Sequence, residues 1–192
     1  MATRLRRFFR ATALPFAPSD NFNRADENPI AAPWINDTFW GGVRIVGNEA
    51  YSVDGDSGVA YWPIQPNANQ FAAGVIGTSD IVSGICCRYQ PTVGTAYFLF
   101  SDTTALQCYR YNAGVGTLLA NEVVAAWVPN TSSMRLEVTG VGATVTVRIY
   151  KDGAQVGADI SDSDANRIVL PGYVGVHGFG TNGLTSWSAG NL

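Results

Sequence analysis

A chain of 192 residues with 46% apolar and 14% charged side chains is long enough to bury a core as one domain and too apolar to stay disordered. No run approaches the ~20 consecutive apolar residues of a membrane-spanning helix, which excludes that class. The formal charge of −3 hides an asymmetry: four of the twelve basic residues (Arg4, Arg6, Arg7, Arg10) lie in the first ten positions, so eight face fifteen acidic ones in the remainder, a body near −7 that repels nucleic acid.

Residues 1–18 read as a basic, aromatic arm. Arg10 interrupts the apolar stretch a signal peptide would need, so the leader is expected to be retained and held against a neighbour. Leu5, Phe8, Phe9, Leu14 and Phe16 can enter a partner's groove while Arg4, Arg6, Arg7 and Arg10 pair with its carboxylates. A nucleic-acid arm would carry more charge and fewer rings, so the expected partner is protein.

From residue 19 onward strand patterns dominate, helped by 21 Gly and nine Pro. "DNFNRAD" opens the body, and "VRIVGNEAYSVDGDSGVAYWP" predicts short strands broken at Gly47-Asn48 and Asp54-Gly55. "NQFAAGVIG", "IVSGICCRYQ", "GTAYFLFS", "LQCYRYN" and "GTLLANEVV" follow, several apolar on both faces as strands in stacked sheets should be. "MRLEVT" turns Met134, Leu136 and Val138 inward, and "ATVTVRIY" does the same with Ala143, Val145, Val147 and Ile149. Asp152-Gly153 supplies a tight hairpin turn, completing a meander from Met134 to about Ile160. "YVGVHGFG" and "LTSWSAGNL" close the chain. A dozen or more short strands without an amphipathic helix predict an all-β antiparallel sandwich over residues 19–192.

Chemistry-bearing residues are sparse. Cys86 and Cys87 are adjacent and so point to opposite faces; with Cys108 they read as three buried or half-buried thiols, which suits a reducing compartment. The four Glu residues (Glu27, Glu49, Glu122, Glu137) are scattered, with none of the alternate-residue carboxylates that glycoside hydrolysis on one strand uses, so no catalytic residue is assigned. His177 shares a strand face with Tyr173, Gly175 and Phe179 and reads as a packing or surface histidine without an evident Ser or Cys partner. "DGDSG" and "DSDAN" offer Asp54, Asp56, Asp162 and Asp164 as weak calcium candidates, although turns favour the same residues for backbone reasons. Trp34, Trp40, Trp62 and Trp127 could present rings to a sugar; Trp40, Trp62 and Trp127 are the candidates for a glycan platform.

"DNFNRAD" followed by Trp34, "VRIVGNEAY", "ICCRYQPTVGTAYFLF", "MRLEVTGVGATVTVRIYKDGAQV" and "PGYVGVHGFGTNGLTSWSAGNL" together resemble concanavalin A-like, laminin-G-like jelly-roll domains, most of all the branch found in phage structural proteins. Where that branch often ends in an acidic Asp-Asp-Phe strand, this chain has Thr185-Ser186-Trp187. The resemblance implies pairing of the first and last strands, with Asp20 to Arg24 near Thr185 to Gly190 and the arm leaving from that edge. It also implies a non-enzymatic virion protein, assembled in the host cytoplasm. In that role it would be a capsid decoration or tail-associated protein, part of a symmetric assembly, with Arg6, Arg7, Phe8, Phe9 and Phe16 as principal anchors to other virion proteins. The alternatives are an adhesin that recognises host surface glycan and, third, a glucanase-like hydrolase.

Overall fold

The computed structural model describes residues 16–55, 57–77, 83–180 and 183–192. Arg4, Arg6, Arg7, Phe8, Phe9, Arg10 and Asp56 lie outside the described residues.

Two antiparallel sheets stack into a sandwich. The first contains β1 (Ser19–Asp20), β3 (Val43–Val46), β4 (Glu49–Ser52), β6 (Gln70–Ile76), β11 (Ser133–Thr139), β12 (Val145–Lys151), β13 (Ala154–Asp162) and β15 (Leu184–Asn191). Its order is β13-β12-β11-β6-β15-β4-β3, with β1 also paired to β15. The second runs β10 (Val115–Val123), β9 (Ala105–Asn112), β8 (Thr95–Asp102), β7 (Gly84–Gln90), β14 (Tyr173–Phe179), β5 (Ser57–Tyr61), β2 (Ile35–Asn36). The predicted meander is β11 to β13, and its hairpin closes Lys151 on Ala154 through Asp152 (φ 51°) and Gly153 (φ 81°), the two positive dihedrals a tight two-residue turn needs.

The core follows the period of two. Met134, Leu136, Val138, Val145, Val147 and Ile149 of the first sheet meet Ile85, Cys87, Tyr97, Leu99, Leu106 and Cys108 of the second, all buried. Ala143 lies before β12 and is exposed. Burying each large side chain contributes about 1.5–3 kcal/mol, so this layer dominates the folding free energy. All three cysteines are free thiols, as their spacing suggested, and all three are buried.

First and last strands pair as expected, though over two residues only: Ser19 opposes Ser188 and Asp20 opposes Trp187. The rest of "DNFNRAD" is a staple rather than a strand. Phe22 adopts φ 51° and is fully buried beside Trp34, while the Asp20 carboxylate accepts Phe22 N–H, Arg24 Nη1 and Trp34 Nε1. The boundary drawn at residue 19 also shifts. Pro18 O accepts Ala189 N–H at 3.0 Å and Phe16 packs, half-buried, against the core, so the sandwich includes residues 16–18. Phe16, expected as a partner anchor, thus spends part of its ring on its own domain.

Two buried cations lock loops to the sandwich. Arg88, in the β7 bulge at φ 53°, is fully buried and faces backbone carbonyls instead of a carboxylate: Ala68 O, Gly140 O and Ile168 O all accept from its guanidinium. Arg110 on the inner face of β9 pairs with Asp162 at 2.6 Å, whose other oxygen accepts Tyr97 Oη–H at 2.7 Å. This corrects the calcium reading of Asp162: both carboxylate oxygens are occupied by the ties between the two sheets. Asp164 caps its own turn by accepting Asn166 N–H, and Asp54 is exposed. No group of three metal-ligating side chains occurs among the described residues.

Candidate functional site

The outward face of the second sheet is unusual in being aromatic where water would be expected. On β8, Phe98 and Phe100 point outward between the inward Tyr97 and Leu99; on β9, Gln107, Tyr109 and Tyr111 alternate with the inward Leu106, Cys108 and Arg110. Register then sets the rings side by side. Phe100 opposes Gln107 and Phe98 opposes Tyr109 across one edge, while on the other side Phe100 opposes Gly84, which opposes His177. Gly84 has no side chain for a steric reason: a Cβ there would come within 2.6 Å of the Phe100 ring and 3.1 Å of His177 Cβ.

These residues, with Trp40, Ser57 and Phe179, line a cleft of about 290 Å³. The Phe98 and Phe100 rings stack nearly parallel (9°, centroids 5.4 Å apart), forming the floor with His177, whose ring stands edge-on to Phe100 at 4.9 Å. Tyr109 and Tyr111 form one wall, and Phe179, stacked on His177 at 6.1 Å, stands opposite. Trp40 closes one end, edge-on to Tyr111 at 5.2 Å and to Phe98 at 6.3 Å.

The loop that carries Trp40 is fixed by Asp37. Its buried carboxylate accepts the backbone N–H of both Phe39 and Trp40 at 2.7 Å. Phe39 then lies across Gly94 and Gly114, where a Cβ would come within 2.5 and 2.9 Å of its ring, and braces Trp40 from behind at 5.2 Å. Ring placement here depends on one carboxylate and two residues without side chains.

Ser57 Oγ lies 2.8 Å from His177 Nε2, supplying the hydroxyl partner that the sequence alone did not reveal. Burial lowers the His177 pKa to about 3, so the ring is neutral at ordinary pH and a weak base. A nucleophilic serine needs a base oriented by a third group; among the described residues His177 Nδ1 is buried without a partner, as is Trp40 Nε1. Burial also holds the Tyr111 phenol above its ordinary value.

The tryptophans predicted to form one platform are separated by the fold. Trp62 is half-buried in a cluster with Trp34 and Trp187, stacked on Trp187 at 5.6 Å, because both project into the interior from facing elements. Trp127 is buried against the core, its Nε1 donating to Asp102 O at 2.6 Å. Of the three candidates, Trp40 lines the cleft, while Trp62 and Trp127 lie away from it against the core. Phe98, Phe100, Tyr109 and Tyr111 line the cleft without being among the sequence candidates. Their signal was the i, i+2 spacing of rings in "YFLF" and "YRY", read only as strand interior.

No family model matches the chain, and no curated protein matches it in sequence. Solved structures do. A carbohydrate binding module from Bacillus subtilis superposes with TM-score 0.58 at 13% identity, covering 82% of this chain and 92% of that one. A protein of galectin-like fold from Bacillus subtilis gives TM-score 0.58 at 12% identity (87% and 94%). A β-1,3-1,4-glucanase (lichenase) derived from a mouse hindgut metagenome gives 0.54 at 14% (91% and 98%). At these identities the likeness is one of fold: the chain is an antiparallel jelly-roll sandwich of the architecture these proteins share.

Proposed function

We propose that this sandwich binds carbohydrate in the aromatic cleft of its second sheet. The observation that carries the reading is the arrangement of Trp40, Tyr109, Tyr111 and Phe179 around one depression floored by the buried Phe98 and Phe100, with Gln107 and Ser57 in its lining. Ring faces suit the C–H face of a pyranose, and rim hydroxyls and amides suit its O–H groups. The fold relationship to a carbohydrate binding module and a glucanase supports a sugar as the ligand.

Binding without hydrolysis is the favoured form. Glycosidases place two carboxyl groups across the scissile bond, and the described lining of this cleft offers Phe, Tyr, Gln and a neutral His instead. The test is a glycan array with the whole protein, read together with Trp40→Ala. Retention on at least one saccharide, lost in the variant, is expected; release of reducing ends from that saccharide would refute the non-catalytic form.

Display of the sandwich on a virion, attached to a capsid or tail protein, is a separate proposal supported by the arginines and rings of residues 1–15. With Phe16 assigned to the sandwich, the anchors are Arg4, Arg6, Arg7, Phe8, Phe9 and Arg10. Removing residues 1–15 should abolish incorporation into particles while leaving a folded domain; undiminished incorporation would refute it.

A further inference from the structure

We infer that the cleft is selective for the uncharged end of a saccharide, one or two pyranose rings long, held without a metal ion. The inference rests on the carbohydrate reading and narrows it in three ways, each from a different observation.

Size is the first. At about 290 Å³ the cleft lies at the lower limit of ligand pockets, which run from about 300 to 1,000 Å³ for drug-sized molecules. The depression itself holds a short stretch of sugar.

Shape is the second. A binding site for the interior of a polysaccharide is open at both ends. Here the Trp40 ring stands against Tyr111 and Phe98, and Phe39 backs it over Gly94 and Gly114, so the cleft has a wall at that end. A saccharide lying along the floor meets Trp40 with its leading ring, the arrangement that suits a chain end.

Charge is the third. Among the described residues the lining contains no carboxylate, ammonium or guanidinium group, and its single histidine is buried with one nitrogen against Ser57 Oγ. A uronate or sulfate carried into such a site would lose its hydration without gaining an ion pair. A neutral sugar meets only dipoles, among them Gln107 and Ser57. Among the described residues the same lining lacks the carboxylates on which calcium-bridged sugar recognition relies.

The experiment is titration calorimetry on the whole protein. The ligands are oligomers of glucose, mannose, galactose, xylose and N-acetylglucosamine, one to six residues long, and the matching uronate oligomers, with and without EDTA. The expected result is binding of at least one neutral series, with affinity level beyond two residues and unchanged by EDTA. The matching uronate should be at least tenfold weaker. Gln107→Lys, at a half-buried rim position, should narrow that discrimination at least threefold by giving the uronate a partner. Affinity that climbs steadily to six residues, a uronate bound as tightly as its neutral counterpart, or loss of binding in EDTA would each overturn the inference while leaving carbohydrate binding intact. Binding of no saccharide at all would overturn the carbohydrate reading itself.

Discussion

The Asp20 carboxylate accepts the indole N–H of Trp34 at 2.7 Å from fourteen residues away, while the same group caps Phe22 N–H and pairs with Arg24. Burial alone would raise its pKa, but the hydrogen bonds from Arg24 and Trp34 outweigh it and hold Asp20 below the usual carboxylate range. Its stabilising contribution is thus complete above the ordinary value near 3.8 and fades as pH falls through the depressed one.

Asp20→Ala should cost about 2–4 kcal/mol, because it strands a buried indole N–H and releases Phe22 from a positive-φ conformation that no longer has a cap. Urea denaturation monitored by tryptophan fluorescence measures this directly. A loss under about 0.5 kcal/mol would show the staple to be ornamental.

Arg88 holds the carbonyls of residues 68, 140 and 168 at once. Burial lowers its pKa, yet three acceptors keep a guanidinium satisfied where an ammonium could not span them. Arg88→Lys is expected to destabilise by about 2 kcal/mol and Arg88→Met by about 3–5 kcal/mol, since the methionine leaves three carbonyls without donors. Equal stability of Arg88→Met and the parent in denaturant would refute this role.

His177 has a folded pKa near 3 against about 6.5 unfolded, so the unfolded chain binds the extra proton between those values. Stability should be full above pH 6.5 and fall as pH drops toward 3, with a slope approaching 1.4 kcal/mol per pH unit. Between pH 4.5 and 6.5 the ordinary carboxylates contribute little, so His177→Asn should flatten the curve there. An unchanged slope in the variant would refute the assignment.

Asp37 positions Trp40 without lining the cleft. Asp37→Ala should lower saccharide affinity about tenfold and red-shift Trp40 emission relative to a Trp40→Phe control, as the loop loses its two caps. Unaltered affinity with an unaltered spectrum would remove Asp37 from the design of the site.

Burial raises the thiol pKa of Cys86, Cys87 and Cys108, the last to about 12. A thiol reagent at pH 8 should therefore label none of them in the native protein and all three after unfolding. Rapid native labelling of any one would contradict the burial.

What the sequence alone determined was the architecture: period-two alternation in "MRLEVT" and "ATVTVRIY" names the inward residues apart from Ala143, which precedes the strand, and Asp152-Gly153 names a turn, because these are local steric facts carried by neighbouring residues. It also argued against a chelate or disulfide for Cys86, Cys87 and Cys108 from spacing, while their full burial is the structure's finding. Only the tertiary structure decided which rings share a site. Trp40, Phe98, Tyr111 and His177 lie on four separate elements, and strand order and register bring them together just as they send Trp62 and Trp127 into the core. Ser57 meets His177 across 120 positions for the same reason. Local pattern specifies the face a side chain takes; long-range pairing specifies its neighbours on that face, and a binding cleft consists of those neighbours.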